Sequence, residues 1–221
     1  MFRSADSVAY FYRTSRIAID ADGAPNAYHP DDSGLDLLEN SGYPKASWWK
    51  DVLVPDPANP SRPLVRTDGA YTGYFISKTA LAATGVADTK PGKFVDARAT
   101  PYIVFPTPWS QVAGSGWMGD FAYARTADGN HASPAIVADH GGGNDAELGE
   151  ISVKLAELLG AGIASPRTGP SNQNMGELIY AVFPKSRLKP AWPLTPEKIN
   201  QRADELLAKA GGWPPAECLR K

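Results

Sequence analysis

The sequence predicts a mainly β fold with peripheral helices, of the α+β class. Three observations carry this prediction. The chain of 221 residues contains 21 Gly and 20 Pro, which indicates many turns between short elements. Several separate runs are rich in the aromatic and β-branched residues that favour strands. Longer stretches with apolar residues every three to four positions, the period of an amphipathic helix, occur only twice.

The strand-like runs follow one another along the chain and are separated by turn signals. The first run ends at the turn Asp20–Gly23, and Asp128–Asn130 predicts a hairpin turn between the fourth and fifth runs. Prolines bound the third run, which is typical of a short buried strand. The runs are Val8–Ile19, Tyr71–Lys78, Thr100–Pro106, Phe121–Arg125, Ser133–Asp139 and Leu178–Phe183.

Two amphipathic helices are predicted late in the chain. The first spans Glu150–Leu159 and is closed by Gly160. The second spans Thr195–Ala210, with Thr195 as its N-cap and Pro196 at its first position. No composition shift marks a boundary, so we expect a single domain over residues 1–221. Other predicted segments are a short helix within Asp31–Gly42, a helical turn at Thr79–Thr84 and a proline-rich loop at Pro55–Pro63.

Composition and charge exclude several classes of protein. The net charge is −2 and acidic and basic residues are interspersed, so we expect no nucleic-acid partner. A lone cysteine, Cys218, excludes an intramolecular disulfide and a zinc site of several cysteines. His29, His131 and His140 lack the close spacing of metal ligands, so neither a metal nor a cofactor is expected. The first twenty residues lack the apolar core of a signal peptide, and no run is long enough for membrane insertion.

Two carboxylates stand out between residues 119 and 160. Asp139 ends a predicted strand, a glycine-rich loop follows, and Glu150 begins a predicted helix. Such a pair can face each other across a cleft, and glycosidic cleavage requires two carboxyl groups in that arrangement. A turn-forming Asp and a Glu that stabilises a helix dipole are the structural alternatives. Glu147 and Asp145 of the same loop are alternative partners for Asp139.

Several segments of the chain, taken in order, resemble the chitosanases of glycoside hydrolase family 75. They are VDARATPYIVFP at 95–106, GD at 119–120, AIVADHG at 135–141 and GEISVKLA at 149–156, with supporting matches at 19–30 and 74–81. The resemblance covers residues 17 to 160 and leaves 161–221 as a C-terminal extension packed on the core. It implies Asp139 and Glu150 as the essential pair in an inverting, endo-acting hydrolase of β-1,4 linkages in chitosan. The absence of an export signal and the sequence of the glycine-rich loop depart from the family.

A second resemblance concerns the fold. The order of Gly119, Asp139 and Glu150, with the apolar stretch that follows, is similar to the double-psi β-barrels. That resemblance implies a double-psi β-barrel-like core. The group includes cellulases and transglycosylases that act on peptidoglycan, so the fold alone does not choose the polymer.

Other residues are candidates for substrate binding. Asp20 and Asp22 form either an Asx-type turn or an acidic subsite for the ammonium group of glucosamine. Lys78 either binds a carboxylate or is solvated. The remaining candidates, each with packing or turn formation as its alternative, are Tyr28, His29, Asp120 and His140, with Trp48, Trp49, Trp109 and Trp117 for stacking on sugars.

We expect the two catalytic carboxylates to have different roles. Burial at a strand end should raise the pKa of Asp139 and suit it to be the acid. Glu150, near solvent and a helix N-terminus, should stay ionised as the base, although the reverse assignment stays open. Alternatives to a chitosanase are a peptidoglycan-cleaving enzyme such as a delivered bacterial toxin, a non-catalytic expansin-like barrel and a plain structural domain. Made in the cytoplasm, the protein would act extracellularly or in the periplasm.

Overall fold

One large mixed sheet organises the chain. The computed structural model describes residues 1–6, 8–142, 146–162, 166–168 and 175–219. The strands of this sheet are β1 (Phe2–Arg3), β2 (Tyr10–Thr14), β3 (Ala18–Asp20), β6 (Tyr102–Pro106), β7 (Phe121–Thr126), β8 (Ala132–Gly141), β9 (Glu150–Ser152) and β10 (Leu178–Phe183). Between β3 and β6, the strands β4 (Pro55–Asp56) and β5 (Asn59–Pro63) pair as a separate hairpin.

The helices are few and mostly short. The longest is α4 (Pro196–Lys209), which packs on β7 and β8 and buries Ile199, Ala203 and Leu206. The others are α1 (Trp49–Val52), α2 (Thr107–Ser110) and α3 (Val153–Ala156), which continues into a π-helical turn at Glu157–Ala161; 3₁₀ turns lie at Leu38–Ser41, Pro166–Thr168 and Ala216–Leu219. The predicted mainly β fold with peripheral helices is therefore confirmed.

The sheet order is β1-β2-β10-β7-β8-β6-β9-β3. The pairs β6–β8 and β3–β9 are parallel and the other pairs are antiparallel. β1 and β3 each have a partner on one side only. Over the described ranges, no strand pair closes the sheet into a barrel.

Strand β10 lies in the interior of the sheet. It pairs with β2 on one side and β7 on the other, and all six of its residues are buried. The chain after residue 161, expected as an extension packed on the core, therefore contributes an inner strand.

Several predicted elements match the structure. Strands β6, β7, β8 and β10 overlap the predicted runs Thr100–Pro106, Phe121–Arg125, Ser133–Asp139 and Leu178–Phe183, and a tight turn joins β7 to β8. The N-cap prediction at Thr195 is also confirmed, because its hydroxyl accepts a hydrogen bond from the Lys198 amide at 3.3 Å.

Others were wrong, for local reasons. The run Tyr71–Lys78 makes only isolated bridges, since hydrogen-bonded turns at Thr72 and Tyr74 occupy its first half. The loop predicted at Pro55–Pro63 is the β4–β5 hairpin. Thr79–Thr84 is not helical but contains a bridge from Ala82 to Phe94.

The helix predicted at Glu150–Leu159 begins at Val153, three residues later than expected. Glu150 opens strand β9, and Ser152 caps the helix that follows by accepting a hydrogen bond from the Leu155 amide. Asp139 likewise lies inside its strand, which runs on to Gly141. Among the described helices, none is long and apolar enough to cross a membrane.

Candidate carboxylate site

The central strands bring Asp20, Asp139 and Glu150 to one region of the sheet. β3 runs parallel to β9, so that Ala18 pairs with Glu150 and Asp20 pairs with Ser152. Side chains two apart on a strand share a face, which places Asp20 and Glu150 on the same face. β6 lies between β9 and β8 and pairs with both, and Asp139 is on β8.

Three carboxylates meet closely at this site. One carboxylate oxygen from each of Asp20, Asp22 and Asp139 lies within 4.8 Å of the other two. The negative charges of Asp20 and Asp139 also act on Glu150. We call Asp20, Asp22, Asp139 and Glu150 the carboxylate cluster.

Hydrogen bonds fix the orientation of Asp20 and Asp22. The Asp20 Oδ1 accepts from the Asp22 amide at 2.7 Å, and its Oδ2 accepts from the Tyr102 hydroxyl at 3.0 Å. The Asp22 Oδ1 accepts from the Ser77 hydroxyl at 3.0 Å. The turn after β3 is therefore held by side chains from two other parts of the chain.

Asp139 and Glu150 differ in how they are bound. Asp139 is 8% exposed, and its Oδ1 accepts from the backbone amides of Ala80 at 3.0 Å and His140 at 2.8 Å. Glu150 is half-buried, and its carboxyl group makes no hydrogen bond or ion pair with any described residue. Glu150 thus offers the least constrained carboxyl group of the cluster.

Burial raises the pKa of every member of the cluster, and the negative neighbours raise it further. The pKa of Asp20 is raised to about 6 and that of Glu150 to about 8. The pKa values of Asp22 and Asp139 are raised well above their usual range. The expected position of Glu150 at a helix N-terminus was wrong, because Glu150 opens strand β9, and its raised pKa favours the protonated form at neutral pH.

Gly149 and Gly23 allow the backbone approaches that the site requires. A Cβ at Gly149, where φ is +138°, would lie 1.6 Å from the Arg16 carbonyl oxygen, so only glycine lets β9 begin beside β3. A Cβ at Gly23, where φ is +76°, would lie 1.9 Å from the Val95 carbonyl oxygen. The glycines next to Glu150 and Asp22 are therefore required for steric reasons.

Among the other residues predicted from the sequence, Tyr28 and Lys78 lie near the cluster. The buried Tyr28 hydroxyl donates to Asp36 at 3.3 Å, and the Lys78 amine donates to the Lys50 carbonyl at 2.6 Å while its charge acts on Asp139.

His29, Asp120 and His140 do not contribute side chains to the cluster. His29 pairs with Asp31, and the His140 side chain is exposed where that of Asp139 is buried. Asp120 is fully buried, with 0% exposure, and accepts from the backbone amides of Trp117, Lys185 and Arg187. Its carboxylate therefore holds two loops together.

The remaining candidates that the structure describes make no hydrogen bond to the cluster. Glu147 is exposed and pairs with Arg16 at 3.2 Å, whereas Asp145 lies outside the described residues. Trp48 and Trp117 are each 48% exposed. Trp49 packs on Tyr43, and Trp109 packs on Tyr10.

Three residues of the site escaped the sequence reasoning. Tyr102, Ser77 and the buried Asp36 all hold or surround the cluster. A signal existed for Tyr102, since the hydroxyl of a tyrosine in a buried strand requires a hydrogen-bond partner. No comparable signal existed for Ser77, whose contact with Asp22 spans 55 residues of sequence.

The cluster has two chemical capabilities. Carboxyl groups with raised pKa values next to one another are suited to proton transfer near neutral pH. The oxygens of Asp20, Asp22 and Asp139 are also close enough to ligate one hard cation such as Ca²⁺. Two cavities, of about 680 Å³ and about 340 Å³, lie elsewhere and are not lined by a cluster residue.

Comparison with known proteins does not assign the chain to a family. No protein-family model and no curated sequence matches it. The resemblance to family 75 chitosanases thus stays a prediction.

Proposed function

We propose that the protein is a glycoside hydrolase that cleaves internal β-1,4 linkages of chitosan with inversion, through Asp139 and Glu150. The observation that carries this proposal is the unpaired carboxyl group of Glu150, held at a pKa of about 8 beside Asp20 and Asp139. A carboxyl group that keeps its proton at neutral pH can donate it to a leaving glycosidic oxygen.

The hydrogen bonds favour one assignment of roles. Two backbone amides donate to Asp139 and the Lys78 charge acts on it, and both lower its pKa against the larger rise caused by burial. Glu150 has no such donors among the described residues. We therefore assign the general acid to Glu150 and the base that activates water to Asp139, the reverse of the expectation from the sequence.

Charge supports an aminosugar polymer as the substrate. Asp36 adds a fifth carboxyl group beside the cluster, the positive charge of Lys78 acts on Asp139, and that of Arg167 acts on Asp36. Those carboxyl groups that are ionised attract the ammonium groups of glucosamine and repel the carboxylates of muramic acid.

The proposal extends to fold and location. The parallel pairs β6–β8 and β3–β9 inside a largely antiparallel sheet support a core related to the double-psi β-barrels. We also propose that the protein acts outside the cytoplasm, where polymers of this kind are found.

Hydrolysis of chitosan by the purified protein tests the function. Wild type should release reducing ends, with the α-anomer of the product appearing first by NMR. Glu150→Gln and Asp139→Asn should each lower the rate by about 10²–10⁴-fold, the usual contribution of a general acid or base. Glu147→Gln, which alters an exposed carboxylate paired with Arg16, is the matched control and should retain activity.

The same assay separates the alternatives. Full activity in both variants of the pair would end the assignment. Reducing ends from purified cell walls but not from chitosan would favour a peptidoglycan-cleaving enzyme. Binding to either polymer with no new reducing ends would favour a non-catalytic, expansin-like barrel.

A further inference from the structure

A cleft of about 680 Å³ lies beside the β4–β5 hairpin. Its walls are mostly apolar, and its volume is in the range of small-molecule sites, about 300–1,000 Å³. We call it the Val65 cleft, and its lining includes Pro30, Asp56, Arg62, Val65, Thr67 and Phe75.

Two chain segments connect the Val65 cleft to the carboxylate cluster. Phe75 lines the cleft, and two residues further on Ser77 donates to Asp22. In an extended segment, residues two apart share a face and are separated by roughly 7 Å. The second segment runs from Tyr28, beside the cluster, to Pro30 in the cleft wall, and the Phe75 amide joins the segments by donating to the Tyr28 carbonyl at 3.0 Å.

The charges of the cleft differ from those of the cluster. Its one carboxylate, Asp56, is paired with Arg62, and the Arg62 guanidinium is largely exposed. A carboxylate free to bind an ammonium group is therefore missing from the described cleft wall, because the charges of Asp56 and Arg62 neutralise each other. An uncharged sugar with an apolar substituent suits these walls better than glucosamine.

On this basis, and resting on the proposed function, we infer that the Val65 cleft is a separate subsite that binds an N-acetylglucosamine unit of the polymer. The cluster then binds the deacetylated unit at the scissile bond. The protein would accordingly select partly acetylated chitosan, with the two kinds of sugar placed at different sites.

A charge introduced into the cleft tests the inference. Val65 is 37% exposed and Val86, outside the cleft, is also 37% exposed, so Val65→Glu and Val86→Glu change net charge and exposure equally. The Kd for the tetramer of N-acetylglucosamine, measured by calorimetry, should rise about tenfold in Val65→Glu, the scale of losing an apolar contact. In Val86→Glu it should match wild type.

The substrate assay adds a second readout. The KM for partly acetylated chitosan should rise in Val65→Glu relative to Val86→Glu, while the KM for fully deacetylated chitosan should not rise. Thr67→Glu, at an exposed position of the same cleft, provides an independent variant if Val65→Glu does not fold.

The outcomes distinguish the two proposals. Equal tetramer binding by the Val65, Thr67 and Val86 variants, in a protein that hydrolyses chitosan, would overturn the subsite and leave the hydrolase standing. Tetramer binding that is lost in the cleft variants, in a protein with no hydrolytic activity, would support the subsite and overturn the proposed reaction. No binding and no hydrolysis by wild type would overturn both.

Discussion

Tyr102 joins strand β6 to the acidic turn after β3, because its buried hydroxyl lies 3.0 Å from the Asp20 carboxylate. The same hydroxyl lies 2.9 Å from the carbonyl oxygen of Asp22. A residue from the middle of the sheet thereby positions two members of the carboxylate cluster.

Removing this hydroxyl should change both stability and proton affinity. In Tyr102→Phe, Asp20 loses a donor that favours its ionised form, so its pKa should rise above about 6. The free energy of unfolding should fall by about 1–3 kcal/mol, the cost of leaving buried polar groups unpaired. Carboxyl ¹³C NMR titration and urea unfolding measure the two effects.

Tyr12→Phe is the control, since Tyr12 is a buried tyrosine whose hydroxyl makes no hydrogen bond to a described residue. An Asp20 pKa that is equal in the two variants would contradict the role given to Tyr102.

The pH dependence of stability follows from the raised pKa of Glu150. Its ordinary pKa is 4.5 and its pKa in the folded protein is about 8. A carboxyl group with a raised pKa stabilises the fold fully below pH 4.5, and this contribution is lost as the pH rises towards 8. The free energy of unfolding of wild type should therefore decrease between pH 5 and pH 8.

Glu150→Gln should be more stable than wild type at pH 8 and should show a weaker decrease over this interval. Urea unfolding at several pH values measures both. A wild type whose stability rises steadily from pH 5 to pH 8 would show that Glu150 is ionised throughout.

Gly149 should tolerate no side chain. In Gly149→Ala the new Cβ meets the Arg16 carbonyl oxygen, which forces β9 away from β3, and the loss of stability should exceed about 3 kcal/mol. Gly129→Ala is the matched control, because its φ is also positive, at +78°, but nothing lies within 4 Å of the added Cβ. That control should lose about 1–2 kcal/mol from backbone conformation alone. Equal losses in thermal unfolding would refute the steric explanation.

Ser152 should contribute more to stability than an ordinary helix cap. Its fully buried hydroxyl accepts from the amides of Leu155 and Tyr102 and donates to the Thr100 carbonyl. Ser152→Ala leaves these three groups unpaired and should cost about 3 kcal/mol or more.

Thr195→Ala removes the exposed cap of α4 and should cost about 1 kcal/mol. Chemical denaturation compares the two variants directly. If Ser152→Ala lowers the free energy of unfolding no more than Thr195→Ala does, the three hydrogen bonds of Ser152 do not contribute as stated.

The elements that were predicted from the sequence depend on local chemistry. The apolar run Tyr102–Pro106 and the turn at Asp128–Asn130 carry their signal within a few residues, and both predictions are confirmed. The Thr195–Pro196 start of α4 is equally local.

The wrong prediction for Glu150 depended on contacts between distant residues. Apolar spacing after Glu150 fits a helix, yet pairing with Ala18 makes the first three residues a strand. The helix-dipole reasoning for Glu150 depended on that boundary, so it does not apply to a residue on a strand. Distant contacts of Tyr102 and Ser77 likewise complete the candidate site.

The interior position of β10 has a consequence for biosynthesis. Until residue 183 has emerged from the ribosome, β2 and β7 lack the partner that separates them, and both would present open edges to other chains. Strands β1 and β2 therefore join the rest of the sheet only late in translation. A nascent chain arrested before β10 should depend on chaperones to avoid aggregation.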